Sequence, residues 1–257
     1  MNAANLSIIQ RAALGRFEGL TLPKESFVLD APCGDGSLAA GLQHAGYDAH
    51  GVDIKAAGAG LLGAAYHDAD LNGRLPFADA SFDVALSIEG IEHLENRFAY
   101  LRELRRVLKP HGTLILTTPN IVGVRSRVRF FGSGFYHRES RPLREAERNP
   151  FHHIALSTFP DLRYALHTSG FRLTGVGHTH IKPISFLYAW LVPWMWLYTA
   201  IAFRKEKNDA QRRANREVRA ALFSKSVLFG ENLLLTAKVQ GSEFKVQGSN
   251  PNMNREP

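Results

Sequence analysis

The sequence predicts a doubly wound α/β fold built on a mostly parallel sheet of seven strands. Through residues 1–120, short apolar runs alternate with segments that carry apolar residues at helical spacing. This alternation is typical of right-handed β-α-β units, in which neighbouring strands run parallel. A glycine-rich turn at residues 30–36 follows the first apolar run, and ligands of open α/β sheets bind at the carboxyl ends of the strands.

The first half of the chain carries five of the predicted strands and three predicted helices. The helices are inferred from apolar periodicity and from the glycine or proline at which a segment ends. The predicted helices are residues 5–20, 37–45 and 99–108. The strands are inferred from short apolar runs bounded by turn residues. The predicted strands are residues 27–30, 48–52, 64–69, 82–87 and 113–118.

The second half carries fewer regular elements, and the logic of parallel crossovers does not extend through it. A helix is predicted at residues 159–168, followed by strands at 171–177 and 232–239. No helix is required between these two strands, so they could form a hairpin at one edge of the sheet.

The chain is long enough for one large domain with its own core, and residues 1–240 are predicted to form that domain. Two stretches interrupt its alternating pattern. Residues 119–157 form an arginine-rich loop, and residues 178–230 form an aromatic and basic insertion between the last two strands. Residues 241–257 are polar and rich in glycine, serine and asparagine, which predicts a disordered tail.

Composition limits the class of protein. The chain has 257 residues, 45% hydrophobic and 21% charged, which is ordinary for a globular protein. Its single cysteine, Cys33, excludes an internal disulfide and predicts a reducing, cytoplasmic compartment. Residues 1–10 are polar and amphipathic, so no secretory signal is expected. The net charge of +7 favours an acidic partner, such as phosphate, nucleic acid or anionic lipid.

The turn at residues 30–36 is a candidate nucleotide site. Its glycines let backbone N–H groups approach a ligand at the start of a helix. Asp53 ends the next strand, where a carboxylate can accept hydrogen bonds from ribose hydroxyls. The spacing of Gly34, Gly36 and Ala39 also satisfies the dinucleotide fingerprint. A nicotinamide-dependent oxidoreductase is therefore an alternative, and a tight turn beside a solvated Asp53 is another.

Three segments of the first half carry a resemblance. Residues 28–36 read VLDAPCGDG, residues 70–84 read DLNGRLPFADASFDV, and residues 101–114 read LRELRRVLKPHGTL. Together they resemble the first motif, the region of the third and fourth strands, and the fourth helix with the fifth strand of the class I S-adenosylmethionine-dependent methyltransferases. The resemblance covers residues 27–120 and implies their Rossmann-like fold and cofactor.

The resemblance also implies the residues that bind the cofactor. The first turn would surround the methionine portion, Asp53 would hold the ribose, and the region after the third strand would hold the adenine. Either Asp70 or Asp68 would accept a hydrogen bond from the adenine amino group, with Asp70 preferred. Ser87 and Ile88, at the end of the fourth strand, would line the cofactor from below. The implied set is Asp30, Cys33, Gly34, Asp35, Gly36, Asp53, Asp70, Leu71 and Ser87. One departure is Pro32 at the family's usual first glycine, which moves the expected contacts to residues 33–36.

A Glu-Gly-Ile-Glu-His segment at residues 89–93 follows the fourth strand. If it begins a helix, Glu89, Glu92 and His93 share one face and could bind a divalent cation such as Mg²⁺. It resembles the pattern of ubiquinone-pathway O-methyltransferases and small-RNA 2′-O-methyltransferases; the latter imply a further histidine, for which His153 is preferred over His152. His93 and Glu92 are the predicted catalytic residues, with His93 as a base. Alternatively, the segment only shapes the cofactor pocket.

Residues 184–203 form an apolar, aromatic segment that contains all three tryptophans and precedes a run of basic residues. Its length and its basic flank predict contact with a membrane. The predicted strand at 232–239 must return to the same sheet, so the segment cannot cross a bilayer once. Pro193 would break a helix there, which predicts a monotopic hairpin or a pair of interfacial helices. A buried lid or a dimer interface is the alternative.

The arginine-rich loop lies where a substrate would approach the sheet. It could recognise a phosphate or another anion, or it is a solvated surface. Its arginines are Arg125, Arg127, Arg129, Arg138, Arg141, Arg144 and Arg148. No RNA-binding module is recognisable, so nucleic acid is not the expected partner.

The sequence therefore predicts a methyltransferase that acts on oxygen of a lipid-linked or amphipathic small-molecule acceptor, peripheral on the cytoplasmic face of the membrane. Two alternatives remain: a nicotinamide-dependent oxidoreductase, and a membrane-associated module that keeps the fold without chemistry.

Overall fold

A computed structural model describes residues 6–136, 142–144, 146, 149 and 151–241. The described residues form one seven-stranded sheet with the order β3-β2-β1-β4-β5-β7-β6. Its strands are β1 (Phe27–Asp30), β2 (Asp48–Asp53), β3 (Tyr66–Asp68), β4 (Phe82–Ile88), β5 (Leu108–Pro119), β6 (Phe171–His178) and β7 (Asn232–Val239). The doubly wound, seven-stranded fold predicted from the sequence is confirmed.

Helices cover both faces of this sheet. They are α1 (Ile8–Glu18), α2 (Ser37–His44), α3 (Ala59–Leu62), α4 (Arg97–Val107), α5 (Val124–Ser133), α6 (Phe159–Thr168), α7 (Val192–Phe203), α8 (Asp209–Leu222) and α9 (Lys225–Phe229). A long 3₁₀ helix, Pro183–Leu191, leads directly into α7.

The first five strands run parallel, and the last two complete the sheet as an antiparallel edge. β1 pairs with β2 and β4, β2 with β3, and β4 with β5, all in parallel. β7 then pairs antiparallel with both β5 and β6. The hairpin predicted for the last two strands is therefore present, with β7 inside and β6 at the edge. The carboxyl ends of β1, β2, β4 and β5 meet at one side of the sheet.

The core lies in two layers, because successive side chains of a strand point to opposite faces. Val28 of β1 packs with Phe17 of α1 and other residues on one face. Its neighbour Leu29 packs on the other face with residues that include Leu101 of α4 and Phe159 of α6. Each such fully buried side chain contributes roughly 1.5–3 kcal/mol of transfer free energy. This two-sided core fixes the strand ends at which the site is built.

Two regions differ from the sequence expectation. The stretch 119–157 was expected as a loop, yet it contains α5, which ends at Gly134 in the left-handed conformation (φ 71°). Its arginines interrupt the apolar periodicity, since only Val124 and Ser126 of this helix are buried. β5 also begins earlier than expected, at Leu108, with a register irregularity and His111 at positive φ.

The aromatic segment is helical throughout rather than a hairpin that reverses at its proline. Pro193 lies in the first turn of α7, where the missing N–H is tolerated, so the helix type changes there but the chain does not turn back. The 21-residue stretch Pro183–Phe203 has the length and composition of a membrane span. Many of its large apolar side chains are exposed. The chain returns from it to β7, as the topological argument requires.

Candidate active site

The turn between β1 and α2 leaves open space beside one of its two glycines at positive φ. Gly34 and Gly36 both have positive φ, 56° and 78°. A Cβ added at Gly34 would meet no atom within 4 Å, whereas one at Gly36 would lie 3.1 Å from the Gly58 carbonyl oxygen. Gly36 is therefore required by the packing of the turn, while Gly34 faces open space. The turn also contains a cis peptide bond between Ala31 and Pro32.

Asp53 ties the tip of β2 to this turn. Its Oδ2 accepts a hydrogen bond from the Gly34 N–H at 2.9 Å, and its Oδ1 accepts one from the Lys55 N–H at 3.1 Å. The side chain is half-buried. A carboxylate held by two backbone amides keeps a fixed orientation and retains lone pairs for further donors. Asp53 is thus held beside the turn, and its binding of ribose hydroxyls stays a prediction.

A cluster of carboxylates surrounds the same turn. Asp30 is buried at the end of β1. Burial raises the pKa of the Asp30 carboxyl well above its usual range, and the negative charges of Asp53 and Asp35 raise it further. Only Asp30 of these three acids is buried, and a cation bound at the turn would stabilise the charged form of each carboxylate. The turn therefore favours a positively charged ligand over an anionic one.

Cys33 supports the turn from below. Its N–H donates to the Val52 carbonyl at 3.0 Å, and its side chain is buried. Burial raises the pKa of the Cys33 thiol to about 12, with Asp30 the next contributor, so the thiol is unreactive. Within residues 33–36, all of them described, the Asp35 N–H is the only amide that donates no hydrogen bond. Asp35 thus offers a donor to a ligand, and the cofactor contact of Cys33 stays a prediction.

Ser87 does not line the cleft with its side chain, contrary to the sequence prediction. It is fully buried, and its Oγ lies 3.0 Å from the hydroxyl of Tyr100. The Tyr100 hydroxyl donates in turn to the Ala31 carbonyl at 2.5 Å. The alternation of β4 turns Ser87 toward α4, so its role is to brace the first turn through Tyr100. Tyr100 was missed in the sequence, where it is indistinguishable from a core aromatic.

The end of β3 and the residues that follow it present exposed polar groups. Asp70 is exposed, and its Oδ1 accepts from the backbone N–H and the side-chain amide of Asn72, at 2.8 and 3.0 Å. Leu71 packs its side chain into the core. Asp68 is also exposed and lies in register with Asp53. Asp70 and Asp68 therefore both remain candidates for the adenine amino group.

Glu92, His93 and His153 converge beside the cleft. Each offers one ligand atom, and these atoms all lie within 4.8 Å of one another. The two imidazole rings have centroids 4.9 Å apart. Glu92 is buried, and its Oε2 accepts from the Thr118 hydroxyl at 3.0 Å. Three of the four residues proposed for a cation site are thus brought together, including the distant His153.

Glu89 lies apart from this cluster, contrary to the expectation that it shares a helix face with Glu92 and His93. Glu89 has a positive φ of 50°, and the following helical turn is a single 3₁₀ turn, Ile91–His93. Its carboxylate accepts from the Thr117 hydroxyl at 3.0 Å and from the Asn232 amide at 2.6 Å. Glu89 therefore joins the tips of β4, β5 and β7 rather than the described cation cluster.

His93 has the protonation state of a general base. Its Nδ1 lies 3.1 Å from the His152 carbonyl oxygen, and a carbonyl only accepts, so the proton is on Nδ1 and the lone pair is on Nε2. Burial lowers the pKa of His93 below its usual value, partly opposed by this hydrogen bond. The neutral form of His93 is therefore favoured, and its Nε2 lone pair could either take a proton or ligate a metal.

The loop that carries the histidines reaches across to β2. The ammonium of Lys55 lies 3.9 Å from the centre of the Phe151 ring, and the Phe151 and His93 ring centroids are 6.4 Å apart. The Ala155 N–H donates to the Glu92 carbonyl at 2.9 Å. Neither Lys55 nor Phe151 carries a motif, so the sequence gives no signal for this bridge.

The arginine-rich loop is only partly described. Arg125 forms an ion pair with buried Glu231 at 3.1 Å, which ties α5 to the start of β7. Arg129 and Arg144 are exposed, whereas Arg127 is half-buried. Arg138, Arg141 and Arg148 lie outside the described residues, so their predicted part in anion recognition stays a prediction.

Comparisons with known proteins agree with this geometry. Residues 29–116 match the methyltransferase domain family. A protein of Mycolicibacterium smegmatis named probable S-adenosylmethionine-dependent methyltransferase is 31% identical over 150 residues, 57% of this chain and 52% of that protein. A ubiquinone biosynthesis O-methyltransferase of a Caulobacter species is 31% identical over 134 residues, 46% of this chain and 52% of that protein.

A solved structure of similar fold extends over more of the chain. It is the 1,6-didemethyltoxoflavin-N1-methyltransferase of Burkholderia thailandensis, with bound 1,6-didemethyltoxoflavin and S-adenosylhomocysteine. Its TM-score is 0.54 at 17% identity, covering 93% of this chain and 80% of that one. At this identity the likeness concerns the fold alone.

The sheet order, the glycine turn and the acidic tip of β2 agree with the match of residues 29–116 to the methyltransferase domain family. Together they support a class I S-adenosylmethionine-dependent methyltransferase fold for this part of the chain. The chain spans about half the length of the curated relatives it matches.

Proposed function

We propose that this chain transfers a methyl group from S-adenosylmethionine to an oxygen of a lipid-linked or amphipathic acceptor at the cytoplasmic face of a membrane. The observation that supports the cofactor assignment is the acidic turn, in which the charges of Asp53 and Asp35 act on buried Asp30 and the space around a Cβ at Gly34 is open. S-adenosylmethionine brings a sulfonium and an ammonium group, and both are cations. Their charge offsets the mutual repulsion of the carboxylates.

The same electrostatics argue against a nicotinamide dinucleotide. Its pyrophosphate would carry negative charge to the start of α2, where the Asp53 carboxylate already accepts from the Gly34 N–H and the Asp35 carboxylate from the Ser37 N–H. Helix N-termini favour anions, but the nearby carboxylates oppose that effect at close range. The oxidoreductase alternative is therefore not favoured.

Methyl transfer is an in-line displacement at a sulfonium carbon, which the protein promotes chiefly by orientation. Asp53 fixes the ribose end of the cofactor, and the turn fixes the methionine end. In the absence of a bound metal, the lone pair on Nε2 of His93 would remove the proton of an attacking hydroxyl. A hydroxyl gains more from such a base than an amine does, because a neutral amine is already nucleophilic. This favours oxygen as the methylated atom.

The experiment that tests this function compares two ligands on the intact protein. S-adenosylmethionine should raise the unfolding temperature, because a ligand that binds only the folded state stabilises it by about 2.7 kcal/mol at one hundred times its Kd. Nicotinamide adenine dinucleotide should leave that temperature unchanged. A labelled methyl group should then appear in lipid extracts incubated with the enzyme. Stabilisation by the dinucleotide alone would refute the proposal, and cofactor binding without turnover would favour the non-catalytic module.

The donor set of Glu92, His93 and His153 fits a divalent metal. Two imidazoles and a carboxylate are preferred by transition metals such as Mn²⁺, Fe²⁺ or Zn²⁺, while Mg²⁺ prefers oxygen. Their spacing within 4.8 Å is close to what ligand bonds of about 2.0–2.2 Å require. A metal bound there would lower the pKa of an acceptor hydroxyl.

If this cluster binds metal, Mn²⁺ or Zn²⁺ added to metal-free protein should raise its unfolding temperature in the absence of cofactor. The variant His153→Ala should lose most of this stabilisation, because it removes one ligand of three. His44→Ala, an exposed histidine of α2, serves as the matched control and should respond as the wild type does. An identical response of all three proteins would exclude the site.

The aromatic segment supports the membrane part of the proposal. Trp190, Trp194 and Tyr198 are 69%, 68% and 77% exposed, and such side chains favour the membrane–water interface. Helix α8 follows with Arg212, Arg213 and Arg216, which would attract anionic headgroups. An exposed aromatic face beside a basic helix has the character of an interfacial element.

Flotation with vesicles of phosphatidylglycerol and phosphatidylcholine tests this placement. Replacing Trp190, Trp194 and Trp196 together by serine should move most of the protein from the floating fraction to the bottom, because the aromatic anchors are lost. Tyr164→Ser, at an exposed position of α6, should float as the wild type does. Unchanged flotation of the triple variant would contradict membrane attachment through this segment.

A further inference from the structure

Arg127 of α5 places a positive charge in an apolar setting without a counter-charge. Its Nε donates to the Val122 carbonyl at 2.6 Å, and its Nη1 reaches the Met195 sulfur at 3.8 Å. No carboxylate of the described residues forms an ion pair with it. Two residues earlier, Arg125 is paired with Glu231 at 3.1 Å. The charge of Arg125 is therefore balanced by a carboxylate, whereas that of Arg127 is not balanced by any described residue.

A pocket of about 540 Å³ opens in front of this guanidinium. Arg127 is the one charged group among the described residues that line it. The other lining residues all come from α7: Trp194, Met195, Leu197, Tyr198, Thr199 and Ile201. The Thr199 hydroxyl already donates to the Met195 carbonyl at 2.8 Å. The wall is thus hydrocarbon and aromatic surface, with a single cationic head at one end.

Physical chemistry selects an anion for this position. A charge in an apolar surrounding lacks the solvation that water supplies, and an opposite charge restores it. Desolvation lowers the pKa of Arg127, with no nearby charge contributing. A thioether sulfur is only a weak acceptor. The two Nη groups of a guanidinium match the oxygens of a carboxylate or phosphate.

The α7 residues that form the rest of the pocket wall favour a ligand with a hydrocarbon tail. Tyr198 and Ile201 are 77% and 53% exposed, so the pocket continues onto an uncovered apolar surface. A second copy of this chain does not suit that surface, because it would bring another Arg127 and the arginines of α8 against the first set. An anionic amphiphile complements both the charge and the apolar wall.

We infer that this pocket binds one molecule of an anionic, single-chain amphiphile, with its phosphate or carboxylate head on Arg127 and its hydrocarbon tail along α7. The inference goes beyond methyl transfer, since the bound molecule need not be the methyl acceptor. It also goes beyond membrane attachment, because it assigns a headgroup site to one residue.

Tryptophan emission isolates this surface for measurement, since all three tryptophans of the chain lie at residues 190–196. The intact protein is titrated with dodecyl phosphate below its micellar concentration. Dodecyl maltoside carries the same tail without charge, and inorganic phosphate carries the head without the tail. Dodecyl phosphate should give a saturable change of emission at a concentration at least tenfold lower than either comparison compound.

The variant Arg127→Met removes the charge and keeps an unbranched apolar side chain. It should weaken binding of dodecyl phosphate roughly 10- to 100-fold, the value of one or more charge-assisted hydrogen bonds. Arg129→Met, on an exposed position of the same helix, should leave binding unchanged. Arg127→Lys retains a charge and should bind more tightly than Arg127→Met, which distinguishes loss of the ion pair from loss of folding.

Three results would overturn the inference. They are equal affinity for dodecyl phosphate and dodecyl maltoside, saturation by inorganic phosphate at the same concentration, and wild-type affinity of a folded Arg127→Met variant. Binding of S-adenosylmethionine is measured separately on the same proteins. A failure of the methyltransferase proposal would therefore leave this titration interpretable.

Discussion

Replacing Asp53 by alanine is expected to remove measurable binding of S-adenosylmethionine. The carboxylate accepts hydrogen bonds from the Gly34 and Lys55 amides and, in the proposed complex, from two ribose hydroxyls. Each hydrogen bond to a charged group contributes about 1.5–3 kcal/mol. Loss of the two ribose bonds should weaken binding roughly 100- to 10,000-fold. Isothermal titration calorimetry with the intact protein measures the change.

Asp48→Ala supplies the matched control for that measurement. Asp48 is exposed and begins the same strand, β2, at the end opposite to the cleft. It should bind the cofactor with wild-type affinity. Equal affinities of the Asp53 and Asp48 variants would show that the tip of β2 does not hold the ribose, and the assignment of the cleft would fail.

Replacing His93 by glutamine is expected to slow methyl transfer roughly 100- to 10,000-fold, the contribution of general base catalysis. Glutamine has no basic nitrogen but fills a similar space, so the affinity for S-adenosylmethionine should stay unchanged. The measurement is the rate of transfer of a labelled methyl group to the acceptor-containing lipid fraction. His44→Gln, on the exposed surface of α2, should retain the wild-type rate.

The pH dependence of kcat provides a second readout of the same residue. Burial lowers the pKa of His93, and the neutral imidazole is the active form. Activity should therefore be full at pH 7 and fall as the pH drops through that lowered pKa, below the usual value of about 6.5. His93→Gln should lack this acidic limb. A limb that persists in the variant would assign the base to another group.

Much of the fold could be predicted because local and global signals agree in it. Residues 159–168 carry Thr158 before the helix and apolar residues at helical spacing; α6 has these bounds, and Thr158 caps it through Asp161. β7 likewise follows its apolar run, Asn232–Val239. In α5 the local sequence pattern and the observed structure disagree. Its arginines interrupt the apolar periodicity from which a helix would be predicted, and only Val124 and Ser126 are buried.

The site was predictable where backbone motifs form it and unpredictable where side chains meet across the chain. The turn at residues 30–36 and Asp53 lie together as expected. Glu89 was wrongly placed in the metal cluster because its own backbone has a positive φ, which directs its side chain toward β7. A positive φ at a residue other than glycine cannot be predicted from the sequence pattern. Ser87 was misplaced because strand alternation near a tip depends on register.

The Phe151 ring has a consequence for how the two halves of the cleft depend on each other. It contacts Lys55, two residues beyond Asp53, and lies beside His93. Because one ring lies near both groups, we expect the free-energy effects of mutations on the two sides to be coupled rather than additive. In the proposed complex, recognition of the nucleoside and deprotonation of the acceptor would then be linked energetically, although the two groups follow different strands.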